Sequence, residues 1–281
     1  MIELIGITPA GTTTHLGEAL TQFPGGEWHV RDFDLEAGST LLVVVRGANA
    51  DDLAAAAIAA DRARSEAATV VLALPYLPGA RADRGRPLGA RVYAEIANAV
   101  HADRVLTIDP HSPVMPSLLE RIEDYPLGRF VRSQLSRLVA GEREHPYVGV
   151  IAPDEGAAAR ASSVAHALHV PVFHARKHRD FTTGKLSGFS CQPLPDSGRL
   201  LVVDDIADGG GTLTGLAEVT GLGPDRLDLW ITHGVFSRGS ERLRTYFGTI
   251  HTTDSHPGHT NPAVGATIHP LTPLFIQEAQ S

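Results

Sequence analysis

The sequence predicts an α/β protein of two tandem domains, each built on a largely parallel sheet. Three observations carry that expectation. Short runs such as "TVVLALP" and "RLLVVDD" are apolar at successive positions rather than in alternation. Strands of that kind are covered on both faces, as in parallel sheets flanked by helices. These runs alternate with alanine-rich segments of helical period, the rhythm of repeated strand–helix units. Finally, 281 residues fill two domains more naturally than one, and the rhythm pauses at the polar "VAGEREHPY" (Val139–Tyr147). A boundary there gives domains 1–140 and 141–281, with the tail 266–281 able to pack back on the first.

In order, the expected strands are Ile2–Ile7, Thr40–Arg46, Thr69–Pro75, Arg104–Asp109, Val148–Ala152, Val170–Ala175, Arg199–Ile206, Arg226–Thr232 and Thr249–Thr253. The expected helices are Asp51–Ser65, Gly89–His101, Leu127–Val139, Asp154–Leu168 and Thr212–Thr220. The stretch "RKHRDFTTGKLSGFS" (Arg176–Ser190) is polar, basic and glycine-bearing, and is expected to be a mobile loop.

Bulk composition excludes several classes of function. With 43% hydrophobic and 20% charged residues the chain is an ordinary globular protein. A net charge of -8 gives no general attraction for nucleic acid or an anionic membrane. Cys191 is the only cysteine, so no intramolecular disulfide forms. The start "MIELIGITPAG" lacks a basic segment followed by a long apolar one, and no apolar run approaches the ~20 residues of a spanning helix. A cytoplasmic protein is expected.

The chemistry concentrates in "LLVVDDIADGGGT" (Leu200–Thr212). A buried strand delivers Asp204 and Asp205 to its carboxyl end, where sites form in α/β folds. The loop Asp208-Gly209-Gly210-Gly211-Thr212 then opens a helix whose N-terminus, with a hydroxyl from Thr212 or Thr214, suits a phosphate. Carboxylates repel a phosphate, so Asp204 and Asp205 call for sugar hydroxyls or a magnesium ion. A sugar phosphate satisfies both halves of the string. The histidines of "HTTDSHPGHT" (His251, His256, His259) match no zinc spacing.

This string resembles the phosphoribosyl-diphosphate (PRPP) loop of type I phosphoribosyltransferases and of ribose-phosphate pyrophosphokinases (PRPP synthetases). Further stretches resemble the pyrophosphokinases in particular: "FPGGE" (Phe23–Glu27), the run Leu74–Pro113 ending in Asp109-Pro110-His111, "APDEGAAARA" (Ala152–Ala161) and "RKHRD". The resemblance covers nearly the whole chain. It implies two phosphoribosyltransferase-like domains, an ATP-side one and a ribose-phosphate-side one, and transfer of the β,γ-diphosphate of ATP to the C1 hydroxyl of ribose 5-phosphate. It implies catalytic cations at Lys177 and Arg179, with ATP held by Phe23, Glu27, Arg81, Asp83, Arg84 and His111. Asp204, Asp205 and the loop Asp208 to Thr212 would take ribose 5-phosphate, and His111 and Asp154 would hold Mg2+. Because the Phe23–Glu27 turn serves a neighbouring subunit in the family, a homo-oligomer is implied, dimer-based and up to a hexamer.

The chain departs from the family pattern at Ala82, where glutamine is usual, at Gly25, at Pro110, at Gly209-Gly210, and in a shortened "RADRGRP" loop. Several of these lie on the ATP side. Three alternatives follow: a larger acceptor such as ADP-ribose, a PRPP-consuming phosphoribosyltransferase, and a non-catalytic subunit.

Overall fold

The continuously apolar runs form the centres of two separate sheets. The computed structural model describes residues 1–138, 145–179 and 186–281, the side chains of 137–138, 177–179 and 186–187 excepted. The chain forms two compact units, Met1–Tyr125 with Pro270–Ser281, and Pro126–His269. Each of the nine expected strands and five expected helices is present, with ends shifted by at most four residues.

The first unit contains β1 (Ile2–Ile7), β2 (Thr13–His15), β3 (Leu20–Gln22), β4 (Trp28–Val30), β5 (Thr40–Val45), α1 (Ala50–Ser65), β6 (Thr69–Ala73), α2 (Gly89–Asn98), β7 (Arg104–Ile108), α3 (Val114–Leu118) and β8 (Ile122–Tyr125). Its main sheet has the order β2-β1-β5-β6-β7-β8. Strands β5 to β8 run parallel, and β1 runs antiparallel to both neighbours. Helix α1 shows how the sequence builds this layer. Asn49 caps it by accepting the Asp51 N–H at 3.1 Å, acids sit in its first turn and arginines in its last. Ala55, Ala56, Ala59, Ala60 and Ala63 form its fully buried stripe, and small side chains let it lie close to the strands.

The second unit contains α4 (Leu127–Leu138), β9 (Tyr147–Ala152), α5 (Ala158–Leu168), β10 (Val172–Arg179), β11 (Leu186–Cys191), β12 (Arg199–Ala207), α6 (Gly211–Thr220), β13 (Leu227–Gly234), α7 (Leu243–Tyr246), β14 (Ile250–Thr253) and β15 (Thr267–His269). Its sheet has the order β11-β10-β9-β12-β13-β14-β15, parallel throughout except for β11.

Two expectations need correction. The units divide at Tyr125/Pro126, earlier than 140/141, because α4 packs with the second unit. Its Phe130 meets Trp230 edge-on at 6.1 Å, and Gly128 approaches Ser163 so closely that a Cβ would lie 2.4 Å from the Ser163 carbonyl oxygen. Glycine and proline mark a surface turn inside a domain as readily as a linker. The basic stretch Arg176–Ser190 is also not loop throughout. Arg176–Arg179 extend β10, Leu186–Cys191 form β11, and the two pair as an antiparallel ribbon, with 180–185 outside the described residues.

Residues Pro270–Ser281, which carry α8 (Thr272–Ala279), group with the first unit. Leu274 and Phe275 of α8 are buried, and the buried Arg46 donates to Thr272 Oγ1 at 2.6 Å. Thr272 in turn donates to Glu3 Oε2 at 3.0 Å, the same oxygen that Arg46 Nη1 engages at 3.0 Å.

Candidate active site

In the first unit, "FPGGE" is the turn of the β3–β4 hairpin. Phe23 N–H donates to the Glu27 carbonyl at 2.9 Å, and Gly26 takes a φ of +98° that favours glycine. The Phe23 ring is 51% exposed and stacks on His29, centroids 5.5 Å apart. A Cβ at Gly25 would stand 2.5 Å from Glu27 Oε2, so the missing side chain leaves room for the glutamate to fold over the turn.

Arg81, Asp83 and Arg84 lie in the loop after β6, and His111 follows β7, the neighbouring parallel strand. Both segments therefore leave carboxyl ends of one sheet, which Thr107 ties together by donating to the Leu74 carbonyl at 2.8 Å. Arg84 is exposed and sits 3.9 Å from the largely buried Asp83 side chain, a loose pair too long for a hydrogen bond. Asp109, at the end of β7, is buried with a φ of +52°. The Phe23–Glu27 turn belongs to a different, two-stranded sheet.

In the second unit the acidic string lies where expected. Strand β12 carries Asp204 and Asp205, and its parallel neighbour β9 leads to Asp154. Asp154 caps the 3-10 turn before α5, accepting the Ala157 N–H at 3.3 Å, so the helix expected from Asp154 begins as that turn and becomes α-helical at Ala158. Asp204 Oδ1 accepts the Asp205 N–H at 3.0 Å. Burial, then the neighbouring Asp205 charge, holds the Asp204 carboxyl well above the usual carboxylate range; Arg160 opposes the rise and Asp154 adds to it.

Arg160 is the residue that sequence reasoning missed. It reaches from α5 to Asp205, Nη2 to Oδ2 3.2 Å, with both side chains nearly fully buried. Its signal was present: one basic residue in the otherwise apolar "GAAARA". A buried arginine needs a carboxylate partner.

The loop to α6 is shaped by Gly210, whose φ of +77° lies in the left-handed region and whose Cβ would press on Leu243 at 3.0 Å. Gly211 opens the helix with empty space around it, leaving room for a ligand at the N-terminus. Thr212 is half-buried, whereas the Thr214 hydroxyl is buried and donates to the Gly211 carbonyl at 3.2 Å. Of the two candidate hydroxyls, Thr214 is thus spent inside the helix. Lys177 and Arg179 sit on β10, next to β9, and their side chains lie outside the described residues.

The three histidines of "HTTDSHPGHT" do not form one cluster. His256 accepts the Gly258 N–H at 3.0 Å within a turn that also holds His259. His251 is buried on β14 with its Nδ1 3.2 Å from His269 Nε2, and Trp230 stacks on both rings. Tyr147 completes this network, donating to Asp228 at 3.1 Å and lying 3.4 Å from His251 Nε2.

Residues 132–249 match the family model "Phosphoribosyl transferase domain". A ribose-phosphate pyrophosphokinase of Methanopyrus kandleri is 31% identical over 260 residues, covering 89% of this chain and 86% of that protein. The chain belongs to the ribose-phosphate pyrophosphokinase family. Another member, from Agrobacterium fabrum, is 31% identical over 190 residues, 63% of this chain and 57% of its own length. Against such bacterial members the matched region spans little more than half of the relative. The fold is also that of a phosphoribosylpyrophosphate synthetase from Mycobacterium smegmatis, with a TM-score of 0.71, 22% identity, and coverage of 93% of this chain and 88% of that one. No helix among the described residues is long and apolar enough to cross a membrane.

Proposed function

We propose that this chain transfers the β,γ-diphosphate of ATP to the C1 hydroxyl of ribose 5-phosphate, forming PRPP and AMP. The C1 oxygen attacks the β-phosphorus, the bond to the α-phosphate oxygen breaks, AMP leaves, and the hydroxyl proton is lost. One observation carries this reading beside the family membership: the strand that bears the neighbouring carboxylates Asp204 and Asp205 leads directly into a helix whose first residue, Gly211, has open space around it. A ligand carrying a phosphate at one end and a diol or cation at the other suits both.

The second unit is the ribose-phosphate side. Asp208, Gly209, Gly210, Gly211 and Thr212 hold the 5-phosphate through backbone N–H groups and the helix dipole. Asp204 faces the ribose hydroxyls or the metal, and Asp205, held by Arg160, keeps the end of β12 in place. Lys177 and Arg179 neutralise charge that develops on the transferring phosphoryl oxygens; the resemblance and their place on β10 support this role. The first unit is the ATP side. Phe23 stacks on adenine and Glu27 hydrogen-bonds it, while Arg81, Asp83, Arg84 and His111 contact the nucleotide.

The donor set suits Mg2+ that arrives with ATP. No group of three or more metal-type side chains converges among the described residues, and magnesium takes one or two carboxylates beside waters and substrate phosphates. The resemblance supports a magnesium contact for Asp154 in the second unit and, for His111 in the first, either a magnesium or a phosphate-oxygen contact. When bound, the ion would supply charge neutralisation on the ATP phosphates. The resemblance supports a homo-oligomer in which the exposed Phe23–Glu27 turn serves the nucleotide site of a neighbouring subunit.

The test is product analysis. Protein incubated with magnesium and ATP releases AMP only when ribose 5-phosphate is added, and mass spectrometry identifies PRPP. Absence of ribose-phosphate-dependent AMP would sink the reading, and base-dependent diphosphate release from PRPP would point to a transferase instead.

A further inference from the structure

Strand β11 is the edge of its sheet, held by its ladder to β10 on one side only. Helix α6 packs against it. In that contact one aromatic ring fills a notch: an ideal Cβ at Gly215 would lie 2.2 Å from Phe189 Cε2 and 2.9 Å from both Cδ2 and Cζ. Only glycine admits the ring there. Glycine within a helix costs about 0.5–1 kcal/mol relative to alanine, so Gly215 in mid-α6 needs a reason, and the ring supplies it.

The position of this contact gives it meaning. In the ribbon register Phe189 stands opposite Lys177. The pairing then slips, because His178 faces Gly188 while Arg179 faces Leu186. Such bulges re-aim a strand and are frequent beside active sites. Phe189 is the last bulky residue of β11 before the slip. The helix it grips begins at Gly211, directly after the Asp208–Gly210 loop.

We propose that Phe189, seated in the notch at Gly215, is a positioning residue: it ties the ribbon bearing Lys177 and Arg179 to the helix whose N-terminus takes the phosphate. The inference rests on the roles assigned above to Lys177, Arg179 and that loop. A change at Gly215 would therefore move the catalytic cations relative to the bound sugar phosphate without touching either.

The test uses the whole chain with G215A, F189L and the double variant G215A/F189L. Kinetics of AMP formation are read beside hydrogen exchange of the β11 amides from Gly188 to Cys191. G215A is expected to lower kcat roughly tenfold to a hundredfold, with the KM for ribose 5-phosphate changed less than about threefold. Its β11 amides exchange faster. F189L in the G215A background removes the clash and restores kcat to within about threefold of the parent. Wild-type kcat and exchange in G215A would overturn the proposal, as would a kcat loss that F189L leaves unrelieved. Should the parent protein make no AMP at all, the functional reading fails, while exchange in β11 still decides whether Gly215 and Phe189 anchor the ribbon.

Discussion

Arg160 and Asp205 form a buried ion pair, 3.2 Å from Nη2 to Oδ2, that joins the start of α5 to the carboxyl end of β12. It divides the acidic string: one carboxylate is matched inside the protein, and its neighbour Asp204 is left with a raised pKa. Breaking such a pair strands a charge out of water. Arg160→Met is expected to cost about 3–5 kcal/mol in urea denaturation. The double variant R160M/D205N should recover more than half of that loss. Equal stability of the single and double variants would show that the pair does not matter.

Asp204 carries the opposite balance. Its ionised form is disfavoured first by burial and then by Asp205, so ionising Asp204 works against the folded state. The sign follows: an acid with a raised folded pKa weakens the fold at pH values above its ordinary titration range, and the weakening fades as pH falls. Asp204→Asn should therefore raise Tm by about 2–4 °C at pH 7 while abolishing turnover. A fall in Tm at pH 7 would contradict the assignment.

The half-exposed Phe23 ring offers a stacking surface for a base. Phe23→Ala is expected to raise the KM for ATP roughly tenfold, the worth of one aromatic stack, with folding stability altered by less than about 0.5 kcal/mol. An unchanged KM for ATP would remove this turn from the nucleotide site.

The buried pair His251 and His269 predicts acid sensitivity. Burial pushes both imidazoles down to about 4, with His251 adding repulsion at His269, so the folded state keeps them neutral. The unfolded chain protonates near 6.5, and stability held above that pH is lost as pH falls from about 6.5 toward 4. Between pH 7 and 5 the loss should reach on the order of 1–2 kcal/mol per histidine. His269→Asn should flatten the Tm-against-pH curve, and an unchanged slope would exclude the pair as its source.

Much of this was legible in the residues themselves. Continuous apolar runs located the parallel strands, because a strand covered on both faces needs apolar residues at every position. Capping and alanine spacing located α1, and the string Asp204 to Thr212 announced a site by placing carboxylates before a glycine turn. Such features are local, set within a few residues of chain. The ribbon β10–β11 was missed because its pairing joins two polar segments across residues 180–185, and polarity alone resembles a loop.

What the sequence determined by itself was therefore the fold class and the chemical character of the site: acids at a strand end, a bare helix N-terminus and basic residues on a neighbouring segment. The tertiary structure decided which groups meet. Only packing brought Arg160 to Asp205, paired His251 with His269 rather than with His256 and His259, and set Phe189 into the space at Gly215. Those relationships span tens of residues and depend on strand order and helix placement, which no local pattern encodes.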